Sequence, residues 1–247
     1  KVITSPSLNT DGCYINDEKP PWDDVRVRKA FSMAIDRVTL ADVLTFGQAE
    51  EAYLPVPPQH WSSSPDMIGV NGYDLEQAKA LLAESGHEGM TFTMMSYQNP
   101  LQIRKAELLQ EAVAKAGFNM ELEVLELAAS VPAMFTDFQY DMFCAPWTGR
   151  PDPHQTVTNM LGSTGYYSLR DGDRAGIDAL IAAAVATDDL VKRAAAYADL
   201  WDVAIGQEAL WIPLWHNSSV TITSDKVGGY QLNLLGKGQP QFAWIEE

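Results

Sequence analysis

Pro20 to Gly47 reads PPWDDVRVRKAFSMAIDRVTLADVLTFG, and this stretch carries more of the fold than any other. Apolar residues fall at Val27, Ala30, Phe31, Ala34, Ile35, Val38, Ala41 and Leu44. That three-or-four spacing lays one face of a helix against a core. Asp23 or Asp24 is placed to cap its start and Gly47 to end it, so the spacing predicts one long amphipathic helix after an extended Pro-Pro segment.

Outward from this helix, the preceding residues read as an extended connector, turn-rich over TSPSLNTDG, with a short apolar run at Cys13, Tyr14 and Ile15. After it, the segment from Gln48 to Tyr73 holds Pro55, Pro57, Pro58, Pro65, Gly69 and Gly72, which forbid long regular elements. Tyr53 and Trp61 are its expected anchors. Asp74 and Gln77 form a capping-box pattern ahead of Leu75, Ala78, Leu81 and Leu82, a short helix ending at Gly86. A strand over Met90–Ser96, a helix over Leu101–Ala116 stopped by Gly117, and a strand over Phe118–Leu127 follow. In the second strand Phe118, Met120, Leu122 and Val124 alternate with Asn119, Glu121 and Glu123, which puts the acids on a wetter face. Such a strand, helix, strand unit is expected to be right-handed, with parallel and neighbouring strands.

Ser130 and Pro132 are expected to open a short helix through Phe138, and Tyr140–Ala145 a third strand that ends in the loop PWTGRPDPHQ. Helices are expected from Asp173 to about Ala186 and from Asp188 or Asp189, the latter burying Val191, Ala194, Ala195, Ala198, Trp201 and Ile205. Leu210–Trp215, Val220–Thr223 and Tyr230–Leu234 read as short strands separated by His216–Ser219 and Gly228-Gly229.

The chain has 247 residues, 46% of them hydrophobic, which is ample for a buried core, and a formal charge of −16 that would repel phosphate backbones and anionic lipid. No nucleic-acid partner is expected. No run approaches the roughly 18 apolar residues that cross a bilayer, and KVITSPSLNT lacks the pattern of an export signal, so any such signal is expected upstream or removed. His60, His87, His154 and His216 are scattered, so neither a metal nor another cofactor is expected. DGDRAGID, Asp171 to Asp178, partly follows a calcium loop, but Ala175 and Ala182 stand where ligands should be; a helix-capping turn explains it better. No nucleophile elbow, glycine-rich phosphate loop or His-Glu-x-x-His is present, and carboxylate pairs such as Asp23-Asp24 sit at helix starts. A hydrolytic enzyme is therefore a remote alternative.

The wording of the opening stretch is more specific than its period. A proline pair, an aromatic, two acids, Val-Arg-Val-Arg and then Ala-Ile-Asp-Arg closely resemble the signature of the family 5 extracellular solute-binding proteins, the peptide receptors of bacterial ABC importers. The resemblance continues in order through YDLEQAKALLAESGHEG, RKAELLQEAVAKAGFNMELEVLEL, YDMFCAPWTGRPDPH and ALWIPLWHNSSVTITSDKVGGY. It implies an α/β, class II periplasmic-binding-protein-like lobe: a mixed sheet with flanking helices, plus crossover strands to a first lobe that would precede Lys1. Residues 1–21 would be the crossover from that lobe, 22–210 the second, ligand-binding lobe, and 211–247 the return.

The implied function is capture of a peptide or peptide-like solute in a cleft between two lobes and delivery to the membrane subunits of an ABC permease. The implied location is periplasmic, or extracellular and lipid-anchored. An opine, oligosaccharide or metal chelate is the alternative ligand. In the peptide-binding branch an aspartate after the Trp-Thr-Gly step pairs with the ligand's ammonium; here that position is Arg150, whose planar fork suits a carboxylate or phosphate. Asp152 could take the ammonium role if the loop shifts, or pair with Arg150. Trp147, Thr148 and His154 belong to the same candidate loop, and Trp147 lies next to a strand end where ligands of α/β sheets collect. Tyr97, Asn99 and Arg104 lie at the same sheet edge and could line the cleft, or merely pack and face solvent. In an oxidising periplasm Cys13 and Cys144 could bridge, or remain two buried thiols.

Overall fold

The computed structural model describes residues 1–169 and 176–246. In chain order its elements are β1 (Val2–Ile15), α1 (Val25–Met33), α2 (Arg37–Thr45), β2 (Glu50–Glu51), α3 (Leu75–Ser85), β3 (Thr91–Tyr97), α4 (Pro100–Ala114) and β4 (Asn119–Leu125). They continue with α5 (Leu127–Phe135), β5 (Met142–Thr148), α6 (His154–Met160), α7 (Ile177–Ala183), α8 (Leu190–Trp201), a π-helical stretch over Asp202–Gln207 and β6 (Trp211–Ile222). Four two-residue strands, β7 (Val227–Gly228), β8 (Gln231–Leu232), β9 (Gly238–Gln239) and β10 (Trp244–Ile245), pair as two small ribbons.

One mixed sheet of order β2-β6-β1-β5-β3-β4 organises the chain. β3 pairs in parallel with both β4 and β5, and β1 runs antiparallel to β5 and β6. The parallel β3-α4-β4 unit is as the alternation predicts, and Glu121 and Glu123 are exposed.

Strand alternation sorts side chains into two cores. Cys13, Ile15, Phe92, Met94, Met142, Cys144, Ile212 and Leu214 face a cluster built with α1 to α4. Tyr14, Met95, Phe143, Ala145, Trp147 and Trp211 face a second cluster with α5 to α8. The first is centred on Trp22, fully buried, its ring edge-on to Phe31 and Phe92 and stacked with Phe118. Cys13 and Cys144 are register partners on β1 and β5, and they are joined by a disulfide. Gly12 lies where β1 passes the Trp211 ring; a Cβ there would overlap the indole.

Several predicted boundaries are corrected. The signature stretch is two helices, because Asp36 adopts an extended backbone and accepts from Thr39 N, capping α2. Its neighbour Arg37 is buried and donates to Pro213 O at 2.8 Å and to Ser32 Oγ at 2.7 Å. Val27, Ala30, Phe31, Ala34, Ile35, Ala41 and Leu44 are buried as the period requires, whereas Val38 is half exposed. α5 begins at Leu127 and carries Pro132 inside it. β5 extends to Thr148, so Trp147 and Thr148 are strand residues.

The face of α8 is displaced in part: Trp201 and Ile205 are buried as predicted, whereas Val191 is 80% exposed and Tyr197 and Leu200 are buried instead. β6 runs unbroken through His216–Ser219 because β1 pairs with it on both sides of a bulge. The start of the helix predicted from Asp173, and most of the Asp171–Asp178 turn, lie outside the described residues. No helix of the described chain is long and apolar enough to cross a membrane.

Candidate ligand site

β3 and β5 are parallel, so their C-terminal ends open at one edge of the sheet, and there Tyr97 and Trp147 come together with Tyr14 of β1. They line a cavity of about 320 Å³ whose wall also includes Phe135, Phe143, Tyr167, Leu127, Val131, Ala145, Pro146, Thr148 and Arg150. Aromatic side chains at alternate strand positions, Phe143 and Trp147 on β5 and Tyr14 on β1, explain why one face of the sheet carries the pocket. Tyr14 packs edge-on to Phe135 with centroids 5.3 Å apart, and Trp147 edge-on to Tyr167 at 5.4 Å. Trp147 Nε1 donates to Thr156 Oγ1 at 3.0 Å, fixing the indole.

Among the described residues, no protein group pairs with the hydroxyls of Tyr14, Tyr97 or Tyr167. Burial pushes the Tyr14 and Tyr97 phenols up, and the charge of Asp11 adds to it, so both stay protonated donors. Asp11 lies within the sheet, bonded to Lys105 of α4 at 2.7 Å, with Lys105 Nζ 5.7 Å from the Trp215 ring centroid. Both side chains are almost wholly buried. Desolvation raises the Asp11 carboxyl and lowers the Lys105 ammonium, each opposed by the other's charge.

Arg150 is the cation of the cavity wall. Its guanidinium lies 5.8 Å from the Trp147 ring centroid, donates to Gln155 Oε1 at 3.0 Å and Gly149 O at 3.1 Å, and is also bonded to Thr148 O. All three acceptors are neutral, and no described carboxylate pairs with it. Asp152 is instead paired with Arg193 at 2.9 Å, which holds its carboxyl below the usual range, and it accepts from His154 N at 3.0 Å. His154 is an exposed residue at the start of α6. Arg150, Asp152, His154 and Arg193 share a shallower neighbouring depression.

Four of the sequence candidates do not line the cavity: Asp152 and His154 lie in the neighbouring depression, and Asn99 and Arg104 are engaged on α4. Asn99 caps α4, accepting from Leu101 N at 3.0 Å and Gln102 N at 3.3 Å. Arg104 pairs with Glu107 on an exposed helix face. Conversely, the loop that follows β5 is held by residues that sequence reasoning did not assign to it: Trp61 Nε1 donates to Pro151 O at 2.9 Å, and His60 Nε2 contacts Pro151 O at 3.1 Å. Trp61 also lies under the Arg193 guanidinium, which is 5.0 Å from the indole ring centroid, and edge-on to Tyr197. The long loop is thus anchored through Trp61, and at Tyr53 by the Arg37 guanidinium against its ring.

Comparison with known proteins gives this arrangement a family. Residues 1–168 match the model of the bacterial extracellular solute-binding proteins, family 5 Middle. The chain belongs to that family. A Pseudomonas aeruginosa relative named "Probable di/tripeptide-binding protein 5" is 30% identical over 96% of this chain and 46% of its own length. The dipeptide-binding protein of Escherichia coli K12 is 28% identical over 96% and 45%, and heme-binding protein A of Haemophilus influenzae 29% over 96% and 44%.

A dipeptide-binding protein from Pseudoalteromonas solved with Met-Leu superposes at a TM-score of 0.83, with 23% identity, over the whole of this chain and 50% of its own. The substrate-binding protein CtaP of Listeria monocytogenes superposes at 0.89 with 20% identity, over the whole of this chain and 52% of its own. These two establish the fold, a family 5 binding-protein architecture. The chain spans about half the length of the relatives it matches. The relatives are binding proteins by name, in keeping with what the resemblance implies, and the family is extracellular by description.

Proposed function

We propose that this chain is the ligand-gripping half of the substrate-binding component of an ABC importer that captures a peptide or peptide-like solute and hands it to a permease in the membrane. The observation that carries the reading is the aromatic cavity at the C-terminal ends of β3 and β5, with three phenolic hydroxyls that no described residue uses. Aromatic walls supply area for side chains, while hydroxyl donors and the Arg150 guanidinium suit the carbonyl and carboxylate groups of a peptide.

In this reading residues 1–21 cross from a first lobe supplied by the rest of a longer protein, 22–210 form the second lobe, and 211–247 return. β1 and β6, side by side and antiparallel over ten register pairs, are the natural hinge. The solute bridges the lobes and favours their closed arrangement, which the permease recognises. The work is binding and closure, with no bond made or broken, in the periplasm or on the cell surface.

The test is calorimetric titration of the full-length protein with a mixed short-peptide pool. Saturable heat is the expected result. Silence would refute a peptide receptor, and binding of equal affinity by the 247-residue chain and the full-length protein would refute the two-lobe grip.

A further inference from the structure

A larger cavity lies elsewhere on the molecule. It measures about 460 Å³, between α2, the loop that follows β2, and β6, and it shares no lining residue with the Trp147 cavity. Its walls are apolar: Val38, Ala41, Leu54, Val56, Met67 and Ile68. Its charged lining is acidic, and its other polar side chains are the Tyr53, Ser63 and Ser64 hydroxyls and His216. Asp42, Glu50 and Glu51 stand around it with exposed side chains, and no lysine or arginine is among the described residues that line it. Asp42 and Glu50 pair with no described group, and Glu51 accepts only from Tyr53 Oη, at 2.9 Å. Arg37 lies against the Tyr53 ring, but its fork is taken up by Ser32 and Pro213.

His216 adds an independent observation. It is 7% exposed, lines the cavity from β6, and contacts Thr10 Oγ1 through Nδ1 at 2.9 Å. Thr10 Oγ1 also lies 3.3 Å from Pro55 O, which can only accept. The threonine has one hydrogen, so both contacts are satisfied only when it donates to Pro55 O and receives from His216 Nδ1–H. That tautomer leaves His216 Nε2 as a bare lone pair with no protein donor among the described residues. Burial lowers the affinity of this imidazole for protons, so at neutral pH it stays an acceptor.

An apolar chamber whose charged groups are all carboxylates, with an imidazole lone pair and hydroxyls that can accept, complements a cation that can donate hydrogen bonds. We propose that this cavity is a second small-molecule site, which binds an organic ammonium with an apolar aryl or branched alkyl body. The N–H donors serve His216 Nε2 and the rim carboxylates, and the body fills the space between α2 and Met67. The volume falls in the range of small-ligand pockets, about 300 to 1,000 Å³. The proposal does not depend on what the Trp147 cavity binds.

The test uses the full-length protein with ¹³C-methyl-labelled methionine and three probes: phenethylammonium, its quaternary N-trimethyl analogue, and 3-phenylpropionate. Met67 lines this cavity, whereas Trp147 reports on the other. Phenethylammonium is expected to shift the Met67 methyl resonance saturably while Trp fluorescence and peptide affinity stay unchanged. The quaternary analogue, which has no N–H, should bind several-fold more weakly, and phenylpropionate should not bind. Glu50→Gln combined with Glu51→Gln should weaken phenethylammonium by about fivefold, as expected for exposed charge pairs. Absence of saturation, equal binding of the propionate or the quaternary analogue, or competition with peptide would each overturn the proposal.

Discussion

Replacing Lys105 by methionine should be among the most damaging single changes in this chain. Lys105 and Asp11 are 1% and 3% exposed at the side chain, and they meet at 2.7 Å. Methionine keeps the apolar stem packed beneath Trp215 but removes the one described cation bonded to Asp11. Removing one partner of a buried pair leaves an uncompensated charge and typically costs about 3 to 5 kcal/mol. Against a total stability of about 5 to 15 kcal/mol that is a third or more.

The loss also has a pH signature. Desolvation already raises the Asp11 carboxyl above 3.8, and without Lys105 nothing comparable opposes it. A carboxyl raised in the folded state is neutral at acid pH, where the buried charge vanishes. The native state binds the proton more readily than the unfolded chain, so the variant's stability falls as pH rises from the ordinary carboxylate value through the raised one. Urea unfolding monitored by circular dichroism should show the deficit smallest at acid pH and growing as pH rises. Asp11→Leu added to Lys105→Met should restore most of it, because two apolar side chains leave no buried charge. A single-variant cost under about 1 kcal/mol at pH 7, or a double variant no better than the single, would refute this account of the pair.

Arg150→Asp should invert the charge preference of the Trp147 cavity: peptides with the nearby carboxylate amidated should then bind more tightly than free acids, and unchanged preference in calorimetry would remove Arg150 from recognition. His216 has a pKa lowered by burial from 6.5 to about 4, so it is neutral in the native state; stability should be full above about pH 6.5 and decline by about 3 kcal/mol as pH falls towards 4, and His216→Gln should flatten that slope in thermal unfolding. Gly12→Ala should destabilise by about 1 to 3 kcal/mol through collision with the Trp211 ring, and Trp211→Leu in the same chain should relieve part of it; additive losses would show that the collision is not the cause. Reducing the Cys13–Cys144 bond, which closes a separation of 131 residues, should lower stability by about 4 to 5 kcal/mol in urea titrations with and without reductant.

What was legible in the sequence was whatever depends on neighbours along the chain. The switch from period two to period 3.6 and back across Thr91–Leu125, with Gly117 between helix and strand, specified the parallel β3-α4-β4 unit. The apolar face of the Val27–Leu44 stretch was equally plain, but the break within it was not, because it turns on a competition at one residue. The Asp36 side chain caps α2 locally, and the reward for doing so is Arg37's contact with Pro213, which is 176 residues away. The same limit explains the partial phase shift of α8: alanines at 194, 195 and 198 suit either face, and only the partners of Tyr197 and Leu200 decide between them.

The candidate site divides in the same way. Tyr97 and Trp147 were placed correctly at one sheet edge, because parallel strands end on the same side. Asn99 and Arg104 were assigned to that edge by proximity in sequence, yet a residue that caps a helix or pairs one turn along it has its polar groups already engaged. Tyr14 was readable only as part of an apolar run; alternation against Cys13 and Ile15 then turns its ring to the opposite face from the disulfide, towards Phe143. Asp11 gave no local signal at all, since its partner is 94 residues away; its charge adds only a smaller upward push to phenols that burial already raises. Aromatic walls can therefore be inferred from strand alternation, whereas the buried Asp11–Lys105 pair behind them forms only when the assembled sheet brings its two partners into contact.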